Sequence, residues 1–180
     1  MRIWLAILML TCSIAHAADA PADLDAGAVK AQLNALFLDA ARNGQLESLN
    51  TFVEAHYDLE TRDANGYSAL ILAAYHGHDE AVALLMQAGA DPCGEDRRGN
   101  TAMMGAIFKG NLRIAKRLLD AQCSPDQRNH AGQTPAMYAG LFQRKEILAA
   151  LAAKGANLTL KDAAGNDAAH LAKGEFTTPR

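Results

Sequence analysis

The sequence repeats itself every 33 residues, and this period constrains the fold more than any other feature. An aspartate or asparagine occurs four times at this interval, and a glycine and an alanine recur at the same interval. The recurring positions are Asp63, Asp96, Asn129 and Asp162, then Gly66, Gly99, Gly132 and Gly165, then Ala73, Ala106, Ala139 and Ala172. A fixed period of this length indicates stacked units, none of which can bury its apolar face alone.

Each unit contains two short stretches of helical spacing separated by a helix-breaking residue. In the second unit the spacing predicts helices over 68–75 and 79–87, with Gly77 between them. Ser68 and Thr101 stand just before helices, where a side-chain oxygen can cap free backbone amides. The predicted units are 30–62, 63–95, 96–128 and 129–161, followed by a partial unit at 162–175.

The start of each first helix carries a recurring motif. It reads Ser-Ala-Leu-Ile-Leu-Ala at 68–73 and Thr-Pro-Ala-Met-Tyr-Ala at 134–139. With the period, this motif resembles the ankyrin repeat over about residues 29–175. The resemblance implies an all-α solenoid of helix-turn-helix units with β-turn tips, about four full repeats plus a truncated C-terminal one. Because that fold serves many unrelated partners, it implies a protein-protein interaction module without naming the partner.

The two ends of the array are expected to differ from its middle. We interpret the first unit as an N-terminal cap, because its helical spacing lacks the turn signature. Its apolar positions are Val29, Leu33, Leu36, Phe37 and Ala40, and its outer face is expected to be polar, with Lys30, Gln32, Asp39 and Arg42. Residues 18–28 are predicted to be a flexible lead-in, and 176–180 a tail.

The first 17 residues have the pattern of a signal peptide. Arg2 is followed by an apolar run over 3–10 and by Ala15-His16-Ala17, which predicts cleavage before Ala18. That run is too short to span a bilayer, so we expect no stable membrane insertion. Residues 9–11 are a poor match to the sequence that precedes a lipidated cysteine, here Cys12. A short signal before such an array resembles secreted bacterial proteins of this family, which implies the periplasm.

Composition and motifs favour binding over catalysis. The net charge of −3 gives no reason to expect nucleic-acid binding. His76 and His78 lack nearby ligands at metal-binding spacing, and the intervening Gly77 is expected to direct the two rings apart. We predict no catalytic residue, no metal, no cofactor and no enzymatic activity. A metal-binding or enzymatic stress protein built on these histidines or the cysteines remains the alternative.

Cys93 and Cys123 follow the second helices of adjacent units. An oxidising compartment would permit a disulfide between them. Neighbouring helices stack about 10 Å apart, whereas a disulfide needs Cα atoms within about 7 Å. The difference in their repeat positions leaves open whether the two cysteines pair.

The resemblance also implies where a partner binds, on the concave side formed by turn tips and first helices. Carried over by register, the candidate partner-binding residues are Tyr67, Tyr75, His76, Arg97, Arg98, Asn100, Phe108, Lys109, Arg128, His130 and Phe142, with Gln133, Leu141 and Lys161 beside them. These residues are basic and aromatic, which favours a protein partner with an acidic or mixed surface. Because a cap closes each end of the array, we expect a monomeric chain. The protein looks like exported ankyrin proteins associated with catalase function; an immunity protein that neutralises a periplasm-delivered toxin is the alternative.

Overall fold

A computed structural model describes residues 25–177, and this part of the chain is an array of short helices without strands. The helices are α1 (Ala26–Asn43), α2 (Leu46–Glu54), α3 (Ala69–His76), α4 (Asp79–Gln87), α5 (Ala102–Lys109), α6 (Leu112–Leu119), α7 (Pro135–Leu141), α8 (Lys145–Ala153) and α9 (Ala168–Ala172). The predicted all-α fold is therefore confirmed. The predicted signal peptide, most of the lead-in and residues 178–180 lie outside the described residues.

Recurring residues of the repeat determine where the helices begin and end. The Ser68 hydroxyl accepts from the Ile71 amide, and Thr101 and Thr134 cap α5 and α7 in the same way. Between the helices, Gly77 adopts φ 88°, a left-handed conformation that costs glycine little. Gln143 takes this place in the fourth repeat with φ 55°. Its side-chain amide donates to the Gly140 carbonyl at 3.0 Å, which supports the unusual conformation.

The helices stack in two layers. The first helices α1, α3, α5, α7 and α9 pack in order, and each of the four complete repeats adds a second helix against its own first helix. Alanines at the contacts between first helices, including Ala73 and Ala106, are fully buried and allow close approach. Leu85 and Leu118 occupy equivalent positions of α4 and α6, and both are buried. The core is thus one continuous strip along the array.

A tight turn projects from each repeat after the first and sets the position of the turn tips. The Asp96 carboxylate accepts from the backbone amides of Arg98 at 2.7 Å and Asn100 at 2.8 Å. Isolated bridges, such as the one between Glu95 and Thr101, close the base of the turn. Gly99 has φ 77°, and a Cβ there would lie 2.9 Å from the backbone nitrogen of His130. The close approach of neighbouring tips therefore requires glycine.

The ends of the array differ from expectation. Helix α1 begins at Ala26, where the Asp25 carboxylate caps it, so the predicted lead-in is helical in its last three residues. In the first unit, Lys30, Gln32 and Asp39 are exposed as expected. The apolar positions Val29, Leu33 and Leu36 are exposed as well. Val29 and Leu33 line a groove together with Tyr57 and Thr61 of the segment that follows α2. At the other end, only residues 176 and 177 of the predicted tail are described, and the Thr177 amide donates to the side chain of Asn166 at 2.7 Å.

Candidate partner-binding face

The turn tips and the helices α3, α5 and α7 carry the residues that the sequence assigns to partner binding. We call this set the candidate face. Exposed members are Tyr75, His76, Arg97, Arg98, Phe108, Lys109, Arg128 and His130, whereas Tyr67, Asn100 and Phe142 are half-buried. Of the residues placed beside them, Lys161 is exposed, and Gln133 and Leu141 are half-buried. The structure thus leaves most predicted contact residues accessible.

Backbone hydrogen bonds hold the tips in register with one another. The Arg97 amide donates to the Asn65 carbonyl of the preceding tip at 3.0 Å. The Arg98 carbonyl in turn accepts from the His130 amide of the next tip at 2.8 Å. These bonds fix the backbone of both arginines, so the candidate face is organised before a partner arrives.

The arginines at the turn tip of the third repeat form no ion pair in the part of the chain that is described. Neither Arg97 nor Arg98 forms an ion pair or a side-chain hydrogen bond among residues 25–177. Lys109 lies over the Tyr75 ring, with its Nζ atom 5.0 Å from the ring centroid. The Arg128 guanidinium donates to the Lys161 carbonyl at 3.1 Å, which orders it without neutralising its charge.

The cations of α6 behave differently. Arg113 and Arg117 both pair with Asp79 of α4, at 3.3 and 2.9 Å, and Lys116 pairs with Glu146 of α8 at 2.5 Å. The Arg117 side chain donates the hydrogen bonds that hold the pKa of Asp79 below its usual value. These cations join repeats to one another, whereas the cations of the candidate face form no ion pair within the described residues.

A strip of aromatic rings crosses three repeats of the candidate face. The Tyr75 and Phe108 rings are nearly parallel, with centroids 6.0 Å apart, and Phe108 meets Phe142 edge-on at 4.9 Å. Tyr138 lies 6.0 Å from Phe142. Tyr75 is 36% exposed and Phe108 42% exposed. Ring pairs at these distances support one another, and their exposed surface is of the type that dominates protein interfaces.

His76 and His78 stand together, which corrects the expectation that Gly77 directs them apart. Their rings are stacked with centroids 6.5 Å apart, because His78 turns back to place Nε2 2.9 Å from the Arg42 carbonyl at the end of α1. Although His76 is exposed as a whole residue, its neighbours shield the ring partly from water, which lowers its pKa, and the nearby His78, Arg42 and Lys109 lower it further. No group of three or more metal-ligating side chains is present among residues 25–177.

Polar side chains beneath the face form a network between the third and fourth repeats. The Asn129 amide and the Tyr138 hydroxyl both donate to the Asn100 side-chain oxygen at 2.9 Å. The Asn100 amide nitrogen in turn donates to the Asp96 carboxylate at 3.1 Å. Burial raises the pKa of Tyr138, which keeps its hydroxyl protonated. Asn100 therefore supports the tip, and its side chain is largely occupied.

A groove of about 210 Å³ opens on the candidate face between the second and third repeats. It is lined by Tyr67, Ile71, Tyr75, Asp96, Arg98, Asn100, Thr101, Gly105, Phe108 and Tyr138. Gly105 and Tyr138 are lining residues that the sequence does not assign to partner binding. Aligning the repeats would have marked Gly105, because the equivalent positions carry Leu72, Tyr138 and Leu171.

The two cysteines whose pairing the sequence left open form a disulfide in the structure. Cys93 and Cys123 lie in the loops after α4 and α6, with Cα atoms 5.5 Å apart. The Gln127 side chain adds a bond from the same region, donating to the Cys93 carbonyl at 2.9 Å. Covalent and polar links therefore join the second and third repeats at these loops.

Comparison with known proteins places the chain among repeat proteins. Residues 36–129 match the family model described as ankyrin repeats, in three copies. A segment of 39 residues is 54% identical to the human Espin-like protein, covering 22% of this chain but only 4% of that relative. Among the described residues, none of the helices has the length and apolar character needed to cross a membrane.

Proposed function

Because the chain belongs to the ankyrin-repeat family, we propose that it acts as a protein-protein interaction module whose candidate face recognises an acidic or mixed protein surface, without enzymatic activity. One observation carries the proposal. Arg97 and Arg98 are exposed and lack an ion-pair partner among residues 25–177, although the α6 cations are all paired. Carboxylates of a partner would supply the missing counter-charges.

The chemistry of these side chains suits recognition. A guanidinium presents a planar fork of donors that matches a carboxylate, and it retains its charge at any physiological pH. The aromatic strip beside the arginines offers apolar area that a partner can cover. Since the tip backbones are already held by hydrogen bonds, binding has little backbone disorder to overcome.

Affinity capture from periplasmic extract would first identify a partner, and a double variant would then test the face. Substituting Arg97 and Arg98 together by alanine should leave thermal unfolding unchanged, because their side chains make no polar contact within residues 25–177. Affinity for the captured partner should fall by tenfold or more, about 1.4 kcal/mol.

A charge-matched control separates this face from general attraction. Lys30 of α1 and Lys145 of α8 are exposed, form no ion pair in the described part, and lie off the candidate face. Replacing both by alanine removes the same charge and should leave partner affinity almost unchanged. If this control loses binding while the Arg97 and Arg98 variant binds normally, the proposed face is wrong.

We place the protein in the periplasm, as a proposal that rests on the signal-peptide pattern of residues 1–17. An oxidising compartment is also compatible with the disulfide between Cys93 and Cys123. Mass spectrometry of the exported protein should find Ala18 at its N-terminus. An intact Met1 or a lipidated Cys12 would refute this processing.

The biological role that we propose within that compartment is support of a catalase or of oxidative-stress defence, by the resemblance described above. Neutralisation of a toxin delivered to the periplasm is the alternative binding role. A deletion strain should lose catalase activity and peroxide survival in the first case. In the second case it should instead become sensitive to the toxin, with catalase activity unchanged.

A further inference from the structure

We infer that the groove at Gly105 is a side-chain pocket, which receives an aromatic side chain of the partner while Arg98 at its rim binds a neighbouring carboxylate. This inference rests on the proposed function and specifies it: the partner presents an aromatic residue next to an acidic one.

The groove exists because the third repeat lacks a side chain at one position of its first helix. Gly105 lies within α5, whereas the equivalent residues are Leu72, Tyr138 and Leu171 in the neighbouring repeats. Tyr138 forms another part of the groove lining. A leucine at position 105, as in the second repeat and the partial last repeat, would occupy the space that is now open.

Packing of the protein does not itself require this glycine. A Cβ atom at position 105 would meet only the Tyr75 ring and its Cβ atom, at 3.7 and 3.8 Å, which is ordinary van der Waals contact. Gly140 of α7 is the opposite case, since a Cβ there would lie 2.6 Å from the Ala168 carbonyl oxygen. A glycine inside a helix is less favourable than alanine. Gly105 therefore makes α5 less stable than alanine would. What the glycine provides in return is the open space of the groove.

The dimensions and walls of the groove fit one aromatic side chain. Its volume of about 210 Å³ lies below the roughly 300–1,000 Å³ of pockets that hold whole small-molecule ligands. Rings line it from three repeats: Tyr67 and Tyr75, then Phe108, then Tyr138. Aromatic rings favour further rings at offset or edge-on geometry, so a planar guest gains contacts that an aliphatic one does not.

The positive charge of Arg98 at the rim favours an acidic residue next to the partner's aromatic residue. The Asp96 carboxylate at the groove is occupied by the amides of Arg98 and Asn100 and by the Asn100 side chain. The Arg98 guanidinium makes no polar contact within residues 25–177, so its donors are available to a ligand. With Arg97 beside it, the rim is a site for a carboxylate rather than for a cation.

Dye-labelled peptides provide a defined probe for the purified protein. The probe is Gly-Ser-Glu-Phe-Glu-Ser-Gly, compared with one peptide in which Ala replaces Phe and another in which Lys replaces both Glu. Fluorescence anisotropy should give the acidic Phe peptide about tenfold tighter binding than the Ala peptide, because burial of the ring is lost in the latter. The Lys peptide should bind more weakly still, through repulsion from Arg98 and Arg97.

The decisive variant is Gly105→Leu, which introduces the residue type found at positions 72 and 171. It should remove the preference for Phe over Ala, whereas Arg98→Ala should weaken both acidic peptides and keep that preference. If Gly105→Leu fails to fold, Gly105→Ala provides the test, because its added methyl group should reduce the preference measurably. The inference is overturned if the unmodified protein does not prefer the Phe peptide, or if the preference survives in a folded Gly105→Leu protein.

The same variants distinguish this inference from the proposed function. If Gly105→Leu binds a captured partner at full affinity while the Arg97 and Arg98 double variant does not, the face is correct and the pocket is wrong. If both variants bind the partner normally, both conclusions fail.

Discussion

Arg117 of α6 donates two parallel hydrogen bonds to Asp79 of α4, from Nε to Oδ1 at 3.0 Å and from Nη2 to Oδ2 at 2.9 Å. The residues are 38 positions apart in sequence and belong to adjacent repeats. A bidentate pair of this kind fixes orientation as well as charge. It ties the second helices of two repeats together on the side away from the candidate face.

Substitution of Arg117 should therefore destabilise the array. We expect Arg117→Ala to lower the free energy of unfolding by about 1–3 kcal/mol, because Asp79 loses two charge-assisted hydrogen bonds. Chemical denaturation measures the change. Lys145→Ala, an exposed and unpaired lysine in the described part, is the matched control and should stay within about 0.5 kcal/mol. Equal losses in the two variants would contradict a structural role for the pair.

The second prediction concerns pH. The pKa of His76 lies below its ordinary value of 6.5, because burial and the positive charges of His78, Arg42 and Lys109 disfavour the protonated ring. The unfolded chain thus binds the proton more readily than the folded chain does. The contribution of His76 to stability is present above pH 6.5 and is lost as the pH falls below that value.

His76→Gln removes the titrating group and provides the comparison. We expect the stability of the natural protein, relative to this variant, to decline as the pH is lowered through the region below 6.5. Denaturation at a series of pH values measures it, and NMR titration locates the pKa directly. A pKa at or above 6.5 for His76 in the folded protein would contradict the prediction.

The third prediction concerns the disulfide. Cys93 and Cys123 close a loop with a sequence separation of 30, and a cross-link of that size stabilises a protein by about 2–4 kcal/mol. Replacing both cysteines by serine should lower the free energy of unfolding by that order. Reductant should weaken the natural protein and leave the double variant unaffected. If the two proteins have the same stability under oxidising conditions, the disulfide does not contribute.

Much of the fold follows from the sequence because the repeat encodes it locally. Ser68 and Thr101 cap their helices as predicted from position, and Gly77 ends α3 in the left-handed conformation. These features depend on residues within one turn of each other. The 33-residue period then determines which units stack, so the all-α solenoid is predictable without any long-range information.

The candidate site is less predictable because its properties depend on side chains from different repeats. The sequence identifies Arg97 and Arg98 as exposed tip residues, but not that they lack counter-charges while Arg117 has one. It also does not predict the stacking of His76 on His78, which requires the end of α1 as a hydrogen-bond acceptor. Those relationships are set by distances across the stack.

Two helix-interior glycines provide the final prediction, because the same substitution should have opposite effects at them. Gly105→Ala places a Cβ at van der Waals distance from Tyr75 and improves helix propensity. It should raise the free energy of unfolding by about 0.5–1 kcal/mol. Gly140→Ala places a Cβ 2.6 Å from the Ala168 carbonyl oxygen, so backbone must move where α7 packs on α9. This variant should lose about 1–3 kcal/mol.

Urea denaturation of the two variants and the unmodified protein measures both changes under one condition. Since each variant replaces glycine by alanine inside a first helix, the difference between them isolates packing from propensity. A destabilised Gly105→Ala protein would mean that the third repeat needs glycine for close packing. The open groove would then be a by-product of the fold, and Gly105 would have no separate role in ligand binding.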